Sequence, residues 1–318
     1  MSARRRIAVL YGGASNEAAV SEVSARGVAE ALASQGHEVH SIPADRDLAR
    51  RLGELSPDVV FPALHGPPGE DGTVQGLLEM LEIPYVGSGV EASAFAMNKI
   101  IAKHAFRMAG LPVAEEVIVR AGKQDVQQAC AHIEATLGAR VAVKPNRQGS
   151  ALGVTLVRAA AELPAALTLA LSYGGDVLIE EFITGREITV AVLDLCGASA
   201  YALPVIEIQT AKGAWYDYHN RYTAGAAVHL VPAPLPAAVS QRLMDIAVAA
   251  HLALGCRDLS RADFVLSEAL APVLLEVNTL PGMTPTSLYP DAAHAVGISF
   301  PMLMQNLIES ALQRARRR

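Results

Sequence analysis

Cysteine, aromatic side chains and excess positive charge are all scarce in this 318-residue chain. Its three cysteines, Cys130, Cys196 and Cys256, are odd in number and widely spaced, which argues against a disulfide framework and indicates buried thiols in a reducing compartment. The formal net charge is −6, whereas a protein that grips a nucleic-acid backbone normally carries a basic face. We therefore expect no nucleic-acid partner.

Long apolar runs are absent as well. No stretch approaches the length needed to cross a bilayer, and the apolar segment after the N-terminal arginines, 7–11, is too short for a secretion signal. The basic tail QRARRR at 313–318 ends an amphipathic helix predicted from Phe300, where cations suit the helix C-terminus. The sequence thus predicts a soluble, cytoplasmic protein without a membrane partner.

Two common nucleotide-binding motifs are missing. The chain contains no G-x-x-x-x-G-K-[ST] sequence and no G-x-G-x-x-G after a strand. The segment YGGASNEAAVS at 11–21 does place Gly12-Gly13 between a strand and a helix, a junction that can hold a phosphate. Apart from this loop, a nucleotide must be bound by residues outside these two motifs.

What the chain does have is a 51% apolar composition and a length typical of two or three lobes. Its first third alternates predicted strands and helices: IAVLY, a helix over 20–35, HEVHSIP, VVFPAL, a helix over 72–81, and then PYVGSG. This alternation predicts a parallel α/β sheet whose ligand loops lie at the carboxyl ends of the strands.

The pattern changes near residue 95. The helix MNKIIAKHAFRMAG precedes four β-rich segments that are separated by one helix over 126–137, which indicates a small α+β lobe. Further strands follow from residue 186, with a helix over 240–255 and an irregular connection over 224–236. We predict three domains: 1–95, 96–185 and 186–318.

The strongest chemical signal lies in SRADFVLSE (260–268) and LLEVNTLPGM (274–283). Because side chains two apart in a strand share a face, Arg261 points with Asp263, and Glu276 points with Asn278. A turn at SEALAP would pair the strands antiparallel and bring all four side chains to one surface. Two carboxylates and an amide suit magnesium bridging nucleotide phosphates, although a solvated strand face has the same composition.

VAVKPNRQGSALG (141–153) is a candidate phosphate loop. Lys144 ends a β run and is followed by Gly149, Ser150 and Gly153, whose backbone N–H groups could line phosphate oxygens. A single lysine before a loop is also compatible with an ordinary solvated surface. By itself the segment leaves both interpretations open.

The segment VLIEEFITGRE (177–187) offers carboxylates at the end of an apolar run. Glu180, Glu181 and Glu187 could accept hydrogen bonds from ribose hydroxyls or from an adenine amino group, or they could be surface acids. The sequence does not separate these alternatives.

Two further segments are rich in polar or aromatic residues. HGPPGEDGTVQG places His65 beside Glu70 at a strand's carboxyl end, as a candidate for ligand orientation or proton handling, while Asp71-Gly72 predict a turn and a helix cap. WYDYHNRY (215–222) concentrates aromatic residues, which indicates a lid or substrate wall, with core packing as the alternative.

Read together, these segments resemble the D-alanine–D-alanine ligases of the ATP-grasp superfamily. The resemblance covers essentially the whole chain, and its most specific parts are GEDGTVQG, YVGSGV and EVNTLPGMT. It implies an α/β, three-lobed ATP-grasp architecture with an N-terminal parallel-sheet domain and an α+β central lobe. It also implies ATP-dependent joining of two D-alanine molecules through an acyl phosphate, for peptidoglycan precursor synthesis.

The resemblance further implies residue roles. The residues implied to bind ATP are Lys99, Lys144, Ser150, Glu180, Glu181, Ile183 and Glu187. The residues implied to bind two Mg²⁺ ions, with Mn²⁺ as the alternative metal, are Asp263, Glu276 and Asn278. Catalysis and substrate alignment are implied for Glu17, Ser150, Tyr216, Arg261 and Gly282. D-alanine binding is implied for His65, Ser287 and Leu288. We also expect a homodimer. By this resemblance YGGASNEAAVS meets the amino group of the first D-alanine through Glu17 rather than a phosphate.

Some positions depart from the family pattern. They are Ala18 and Arg221, where arginine and lysine are common, Gln148, where glutamate is expected, and Glu181, where lysine is frequent. These changes bear on substrate affinity and loop dynamics more than on the reaction. Tyr216 favours an amine acceptor over D-lactate; the alternatives are a ligase with another acceptor, such as D-lactate, D-serine or another amino acid, and a nucleotide-binding protein without turnover.

Overall fold

The computed structural model of the chain describes residues 3–15, 17–123, 125–210, 223 and 225–317. The N-terminal part alternates strands and helices as predicted. Its elements are β1 (Arg6–Tyr11), α1 (Ala18–Ser34), β2 (Glu38–Pro43), α2 (Leu48–Leu55), β3 (Val59–Pro62) and α3 (Thr73–Met80). The strands form a parallel sheet in the order β2-β1-β3. The parallel α/β sheet is therefore confirmed, whereas the short, charged helix α2 was not predicted.

The central part is an antiparallel sheet with helices packed against it. Its elements are α4 (Val90–Met97), α5 (Lys99–Met108), β4 (Glu116–Val119), α6 (Val126–Leu137), β5 (Val141–Pro145), β6 (Thr155–Val157), α7 (Leu163–Ser172) and β7 (Val177–Glu181). The strand order is β4-β7-β5-β6. Asn98 separates α4 from α5 and caps α5 by accepting a 3.2 Å hydrogen bond from the Ile101 backbone N–H.

The prediction of one helix between the central strands is wrong, because α7 is a second one. Its sequence, LPAALTLALS, is apolar on nearly every side and therefore lacks the periodic contrast that reveals a surface helix. Buried residues of α7 pack with those of α6 and the sheet in one apolar cluster, which includes Ile133, Val143, Leu167 and Ile179. Tertiary packing thus forms a helix that the sequence pattern does not display.

The C-terminal part is built on an antiparallel sheet. Its elements are β8 (Gly185–Asp194), β9 (Tyr201–Ala202), β10 (Ile206–Thr210), β11 (Ala227–Leu230), α8 (Ala237–Ala253), β12 (Asp258–Ser267), β13 (Pro272–Asn278), α9 (Leu288–Ala295) and α10 (Phe300–Ala315). The strand order is β11-β10-β8-β12-β13, and β9 pairs with β8. The expected irregular connection over 224–236 is partly wrong, since β11 pairs with β10 at the sheet edge.

One apolar cluster joins the N-terminal and C-terminal sheets. It contains Val9 of β1, Leu32 of α1, Leu193 of β8 and Leu307 of α10, none of them accessible to solvent. Helix α10 packs against both α1 and β3, so the end of the chain covers the first sheet. Burial of this shared apolar surface fixes the two sheets relative to each other.

The division into domains 1–95, 96–185 and 186–318 remains our proposal. It agrees with the places where the chain leaves one sheet and enters the next, between β3 and β4 and between β7 and β8. None of the helices in the described part of the chain has the length and apolar character that a membrane crossing requires.

Candidate active site

Strands β12 and β13 carry the cluster of polar side chains that the sequence singled out. They pair antiparallel, with Arg261 opposite Asn278 and Asp263 opposite Glu276. The Asn278 amide donates a 3.2 Å hydrogen bond to Asp263 Oδ2. The predicted pairing of these strands, and the meeting of their side chains on one surface, are confirmed.

Positive side chains surround the two carboxylates of this cluster. The Arg261 guanidinium donates to both oxygens of Asp263, at 2.8 Å and 2.7 Å. The Lys99 ammonium lies 3.2 Å from Glu276 Oε2 and donates a 2.7 Å hydrogen bond to the Gln148 carbonyl oxygen. Each carboxylate is therefore ion-paired, which compensates for the loss of solvent around it.

The oxygen donors of this cluster fit a hard divalent cation better than a soft one. Asp263, Glu276 and Asn278 present carboxylate and amide oxygens, the ligands that magnesium and manganese prefer. Within the described ranges, no group of three or more His, Cys, Asp or Glu side chains is placed to hold a metal ion. A cation at this position would thus rely on two carboxylates and an amide together with oxygens from its substrate.

A cleft of about 510 Å³ lies between the central and C-terminal sheets. Most of the side chains predicted for nucleotide and metal binding line it, namely Lys99, Lys144, Glu180, Glu181, Ile183, Glu187, Asp263 and Glu276, whereas Ser150 and Asn278 lie outside its lining. Ala142, Leu156, Phe182 and Leu275 give it apolar walls. Apolar walls with a few convergent charges and this volume are typical of a small-molecule site.

Glu180 is the most deeply buried carboxylate in the lining of the cleft, at 2% exposure. Its Oε2 accepts a hydrogen bond from Lys144, and its Oε1 accepts one from Lys103. Burial raises the pKa of Glu180, but the charges of Lys144 and Lys103 outweigh burial and bring the pKa below its ordinary value. Glu180 is therefore held as a carboxylate.

The sequence analysis missed Lys103, although a signal was present. On a helix, residues three, four and seven apart share a face, so Lys103 lies on the same face of α5 as Lys99, Ile100 and Phe106. Ile100 and Phe106 are buried, and Lys103 is 2% exposed. A lysine on an apolar helix face indicates a buried partner carboxylate.

The loop over 146–153 lies against the N-terminal part of the chain. Ser150 donates a hydrogen bond to the Glu17 carboxylate, and a Cβ placed on Gly149 would lie 3.0 Å from Glu17 Oε2. Ser150 and Ala151 adopt φ angles of 47° and 59°, in the left-handed region. The loop thus brings the glycine-rich segment next to the carboxylate at the start of α1.

His65 and Glu70 flank the same carboxylate. His65 Nε2 lies 3.0 Å from Ser24 Oγ, and burial lowers the pKa of His65. Glu70 accepts a 2.7 Å hydrogen bond from the Gly66 backbone N–H, and burial, followed by the negative charge of Glu17, raises the pKa of Glu70 to about 8. The predicted turn at 71–72 is confirmed, because the Asp71 carboxylate accepts a 3.0 Å hydrogen bond from the Thr73 N–H; Gly72 is the N-cap residue of α3, which has no side-chain cap hydrogen bond.

Gly282, Ser287 and Leu288 lie together in and after the loop that follows β13. Ser287 precedes α9, and its hydroxyl accepts a 3.0 Å hydrogen bond from the Thr284 N–H. A Cβ on Gly282 would lie 2.8 Å from Ser287 Oγ, so any larger residue there would displace the Ser287 hydroxyl. The Met283 N–H donates a 3.4 Å hydrogen bond to Ser24 Oγ, which links this loop to the His65 side of the site.

The structure therefore collects the predicted residues into two adjoining groups. One group lines the cleft, and the other surrounds Glu17. The hydrogen bond from Ser150 to Glu17 and the loop after β13 connect the two groups. Tyr216, with the rest of WYDYHNRY including Arg221, lies outside the described residues, and so do Asn16 and Gln124.

Protein families and curated proteins both match this chain. A family model described as the D-ala D-ala ligase C-terminus matches residues 105–309, and one described as the D-ala D-ala ligase N-terminus matches residues 49–88. The D-alanine–D-alanine ligase of Desulforudis audaxviator (strain MP104C) is 49% identical over 311 residues, 98% of this chain and 99% of that protein. That of Halalkalibacterium halodurans is 46% identical over 310 residues, 97% of this chain and all of that protein.

Solved structures match in the same way. The D-alanine–D-alanine ligase of Bacillus anthracis complexed with ATP superposes with a TM-score of 0.83 at 32% identity, covering 98% of this chain and 99% of that one. The enzyme of Coxiella burnetii superposes with a TM-score of 0.84 at 27% identity, covering 99% and 96%. The ATP-grasp architecture expected from the sequence is thereby confirmed, and the chain belongs to the D-alanine–D-alanine ligase family.

Proposed function

We propose that this chain is an ATP-dependent ligase that joins two D-alanine molecules to D-alanyl-D-alanine and releases ADP and phosphate, supplying peptidoglycan precursor synthesis. The observation that carries the proposal is the meeting of two lysines, two carboxylates and an arginine in and beside one cleft, namely Lys99, Lys144, Asp263, Glu276 and Arg261. Positive and oxygen-rich groups in this arrangement suit the transfer of a phosphoryl group.

ATP would bind in the cleft between the central and C-terminal sheets. Lys99 and Lys144 would contact its phosphates, and the loop over 146–153 with Ser150 would cover them. The remaining lining residues would hold adenine and ribose, namely Glu180, Glu181, Ile183 and Glu187. The apolar walls would exclude water around the base, which strengthens each of these hydrogen bonds.

Two Mg²⁺ or Mn²⁺ ions would be held by Asp263, Glu276 and Asn278. When bound, they would offset charge on the phosphates and make the transferred phosphorus more electrophilic. Arg261 and Lys99, which pair with these carboxylates, could then turn toward phosphate oxygens. Arg261 and Lys99 would thus balance the carboxylates before the metal ions bind and contact phosphate during turnover.

The first D-alanine would be bound through its amino group by Glu17, with His65 nearby. A carboxylate is a poor electrophile, so ATP converts it to an acyl phosphate, which the amine of the second D-alanine attacks. Arg261 and the Gly282 N–H would stabilise the oxyanion that forms in this attack. Exclusion of water by the loop over Glu17 would protect the acyl phosphate from hydrolysis.

The second D-alanine would be held at its carboxylate by Ser287 and by the backbone at Leu288. Ser287 lies at the N-terminal end of α9, where unpaired N–H groups favour an anion. Ser150 and Tyr216 would join Glu17 in aligning this substrate. We further propose that the enzyme acts in the cytoplasm as a homodimer.

The test is release of phosphate from ATP and Mg²⁺ with D-alanine, with the product identified by mass. We expect D-alanine-dependent release and a dipeptide product, whereas Glu276→Ala should lower turnover at least about 100-fold, since it removes a metal ligand. A matched control is Glu79→Ala, a carboxylate away from the cleft. Absence of D-alanine-dependent release would refute the proposal, and a depsipeptide product in assays with added D-lactate would redirect it to another acceptor.

A further inference from the structure

Helix α5 and the central sheet enclose a chain of alternating charges behind the cleft. Lys103 Nζ donates to Glu180 Oε1 and lies 3.0 Å from Glu116 Oε2. Glu116, whose side chain is 6% exposed, also pairs with the half-exposed Arg107. Lys144 completes the chain at Glu180 Oε2, on the side that faces the cleft.

The position of Lys103 separates its role from that of Lys144. Among the described residues, the cleft is lined by Lys99, Lys144 and Glu180, but not by Lys103. With only 2% of its side chain exposed, Lys103 lies behind Glu180 and cannot reach a ligand in the cleft. Any effect of Lys103 on the nucleotide must therefore pass through Glu180.

We propose that Lys103 is a positioning residue for the nucleotide, because it holds Glu180 in place and limits the contact of Lys144 to one of the two oxygens of Glu180. This inference rests on the proposed function for the identity of the ligand. Each oxygen of Glu180 bonds to one lysine. If Lys103 were absent, both oxygens would be available to Lys144, and its ammonium would be drawn toward Glu180 and away from the cleft.

The same loss would change the charge of Glu180. Burial opposes ionisation of this carboxyl, and Lys144 together with Lys103 offsets that effect. Glu116 faces Glu180 from β4, Glu181 adjoins it on β7, and Lys99, Asp263 and Glu276 line the same cleft. Removal of Lys103 takes away one of the two positive charges that offset burial of Glu180, so the pKa of Glu180 should rise.

The central experiment is the binding of ADP and ATP to the full-length Lys103→Met variant, measured by titration calorimetry. We expect the Kd to rise about tenfold at pH 8, because a charged, buried hydrogen bond is lost. The rise should be larger at pH 6 than at pH 8, because a raised pKa of Glu180 in the variant favours its neutral form as pH falls, whereas the Kd of the wild type should change little across this range. In steady-state assays the KM for ATP should rise much more than kcat falls.

A double-mutant cycle tests whether Lys103 acts through Glu180. If it does, Lys103→Met/Glu180→Gln should bind ADP as Glu180→Gln does. This comparison also holds if Lys103→Met alone fails to fold, since the double variant contains no unpaired Glu180 carboxylate. Additive loss of affinity in the cycle would refute the inference.

Two single substitutions serve as controls. Lys103→Arg keeps a positive charge beside Glu180 and should restore most of the affinity and the flat pH profile. Arg107→Gln removes the exposed cation at the other end of the chain and should leave nucleotide binding unchanged. An Arg107→Gln effect as large as that of Lys103→Met would show that the whole network only stabilises the fold, and would overturn the inference.

The outcomes for the inference and for the proposed function are distinguishable. If the wild type forms dipeptide from D-alanine while Lys103→Met binds ADP normally at both pH values, the inference is wrong and the function stands. If ADP binding depends on Lys103 as described but no dipeptide forms, the ligase function is wrong and the role of Lys103 stands.

Discussion

Glu70 is a carboxyl group whose chemistry is set by its neighbours. Burial, the charge of Glu17 and, to a smaller extent, that of Glu276 favour its neutral form, while the Gly66 N–H and Arg261 favour the ion. The pKa of about 8 shows that the first effects prevail. At neutral pH, Glu70 therefore adds little negative charge beside Glu17.

We predict that Glu70→Gln reduces the loss of stability that occurs as pH rises. Between the ordinary pKa of 4.5 and the folded value of about 8, the unfolded chain releases a proton that the folded chain keeps. Stability conferred by neutral Glu70 is thus greatest below pH 4.5 and is lost as pH rises toward 8. The difference in free energy of unfolding, wild type minus the Glu70→Gln variant, should fall by about 2 kcal/mol between pH 6 and pH 8.

Urea denaturation at a series of pH values measures this difference. The amide oxygen of the introduced glutamine can still accept the hydrogen bond from the Gly66 N–H, so the comparison isolates the ionisation of Glu70. Parallel stability curves for the two proteins across this range would show that Glu70 is ionised in the folded state.

At the scale of elements, the loop over 146–153 is most constrained at Gly153. Its φ is +70°, and a Cβ there would meet the Tyr173 ring at 2.5 Å and the Pro145 ring at 2.8 Å. Both neighbours belong to the central part of the chain, and Pro145 ends β5, so they fix where the loop enters β6. The loop is therefore positioned from its C-terminal end as well as through Ser150 and Glu17.

Gly153→Ala should displace this loop. We expect a loss of about 2 kcal/mol in unfolding free energy from the clash and the left-handed backbone, together with a raised KM for ATP. Gly174→Ala is the matched control, because Gly174 has a φ of +81° and no heavy atom within 4 Å of the added Cβ. It should lose about 1 kcal/mol and keep normal kinetics. Equal KM values for the two variants would contradict the proposed role of the loop.

Local sequence patterns predicted many of the elements but not those that depend on tertiary contacts. Alternation in SRADFVLSE and LLEVNTLPGM identified β12 and β13 because each strand has one apolar and one polar face. Helix α7 was missed because it is apolar on most sides, and β11 was missed because a four-residue edge strand carries little signal. The sequence shows where Glu70 and Lys103 lie along the chain, but it does not identify the groups that surround them in the fold.

At the scale of the whole molecule, Asp258 joins distant segments. It has no solvent exposure, and its carboxylate accepts hydrogen bonds from the Gly87 N–H, the Ser310 hydroxyl and both terminal nitrogens of Arg314 at 2.7–2.9 Å. Arg314 also donates to the Tyr85 carbonyl oxygen. This cluster ties the segment after β3, the start of β12 and the end of α10 together.

Asp258→Asn should therefore destabilise the whole molecule. Asparagine tolerates the φ of 62° at this position but leaves the Arg314 charge without its partner, so we expect a loss of about 3 kcal/mol in unfolding free energy. Thermal and urea unfolding measure it. Glu54→Gln breaks an exposed pair with Arg50 inside α2 and should cost less than about 0.5 kcal/mol. Similar losses in the two variants would argue against this cluster as a link between segments.

The sequence by itself determined the strand and helix types in their long, periodic segments and the chemical kinds of residue available for the site. Only the tertiary structure decided which of them meet: Glu17 with Ser150, 133 residues apart, and Lys103 with Glu180, 77 residues apart. The physical reason is that periodicity records which face of an element is apolar, whereas partners across such distances are selected by how the sheets pack. Burial and the resulting pKa values of Glu70 and Glu180 follow from that packing.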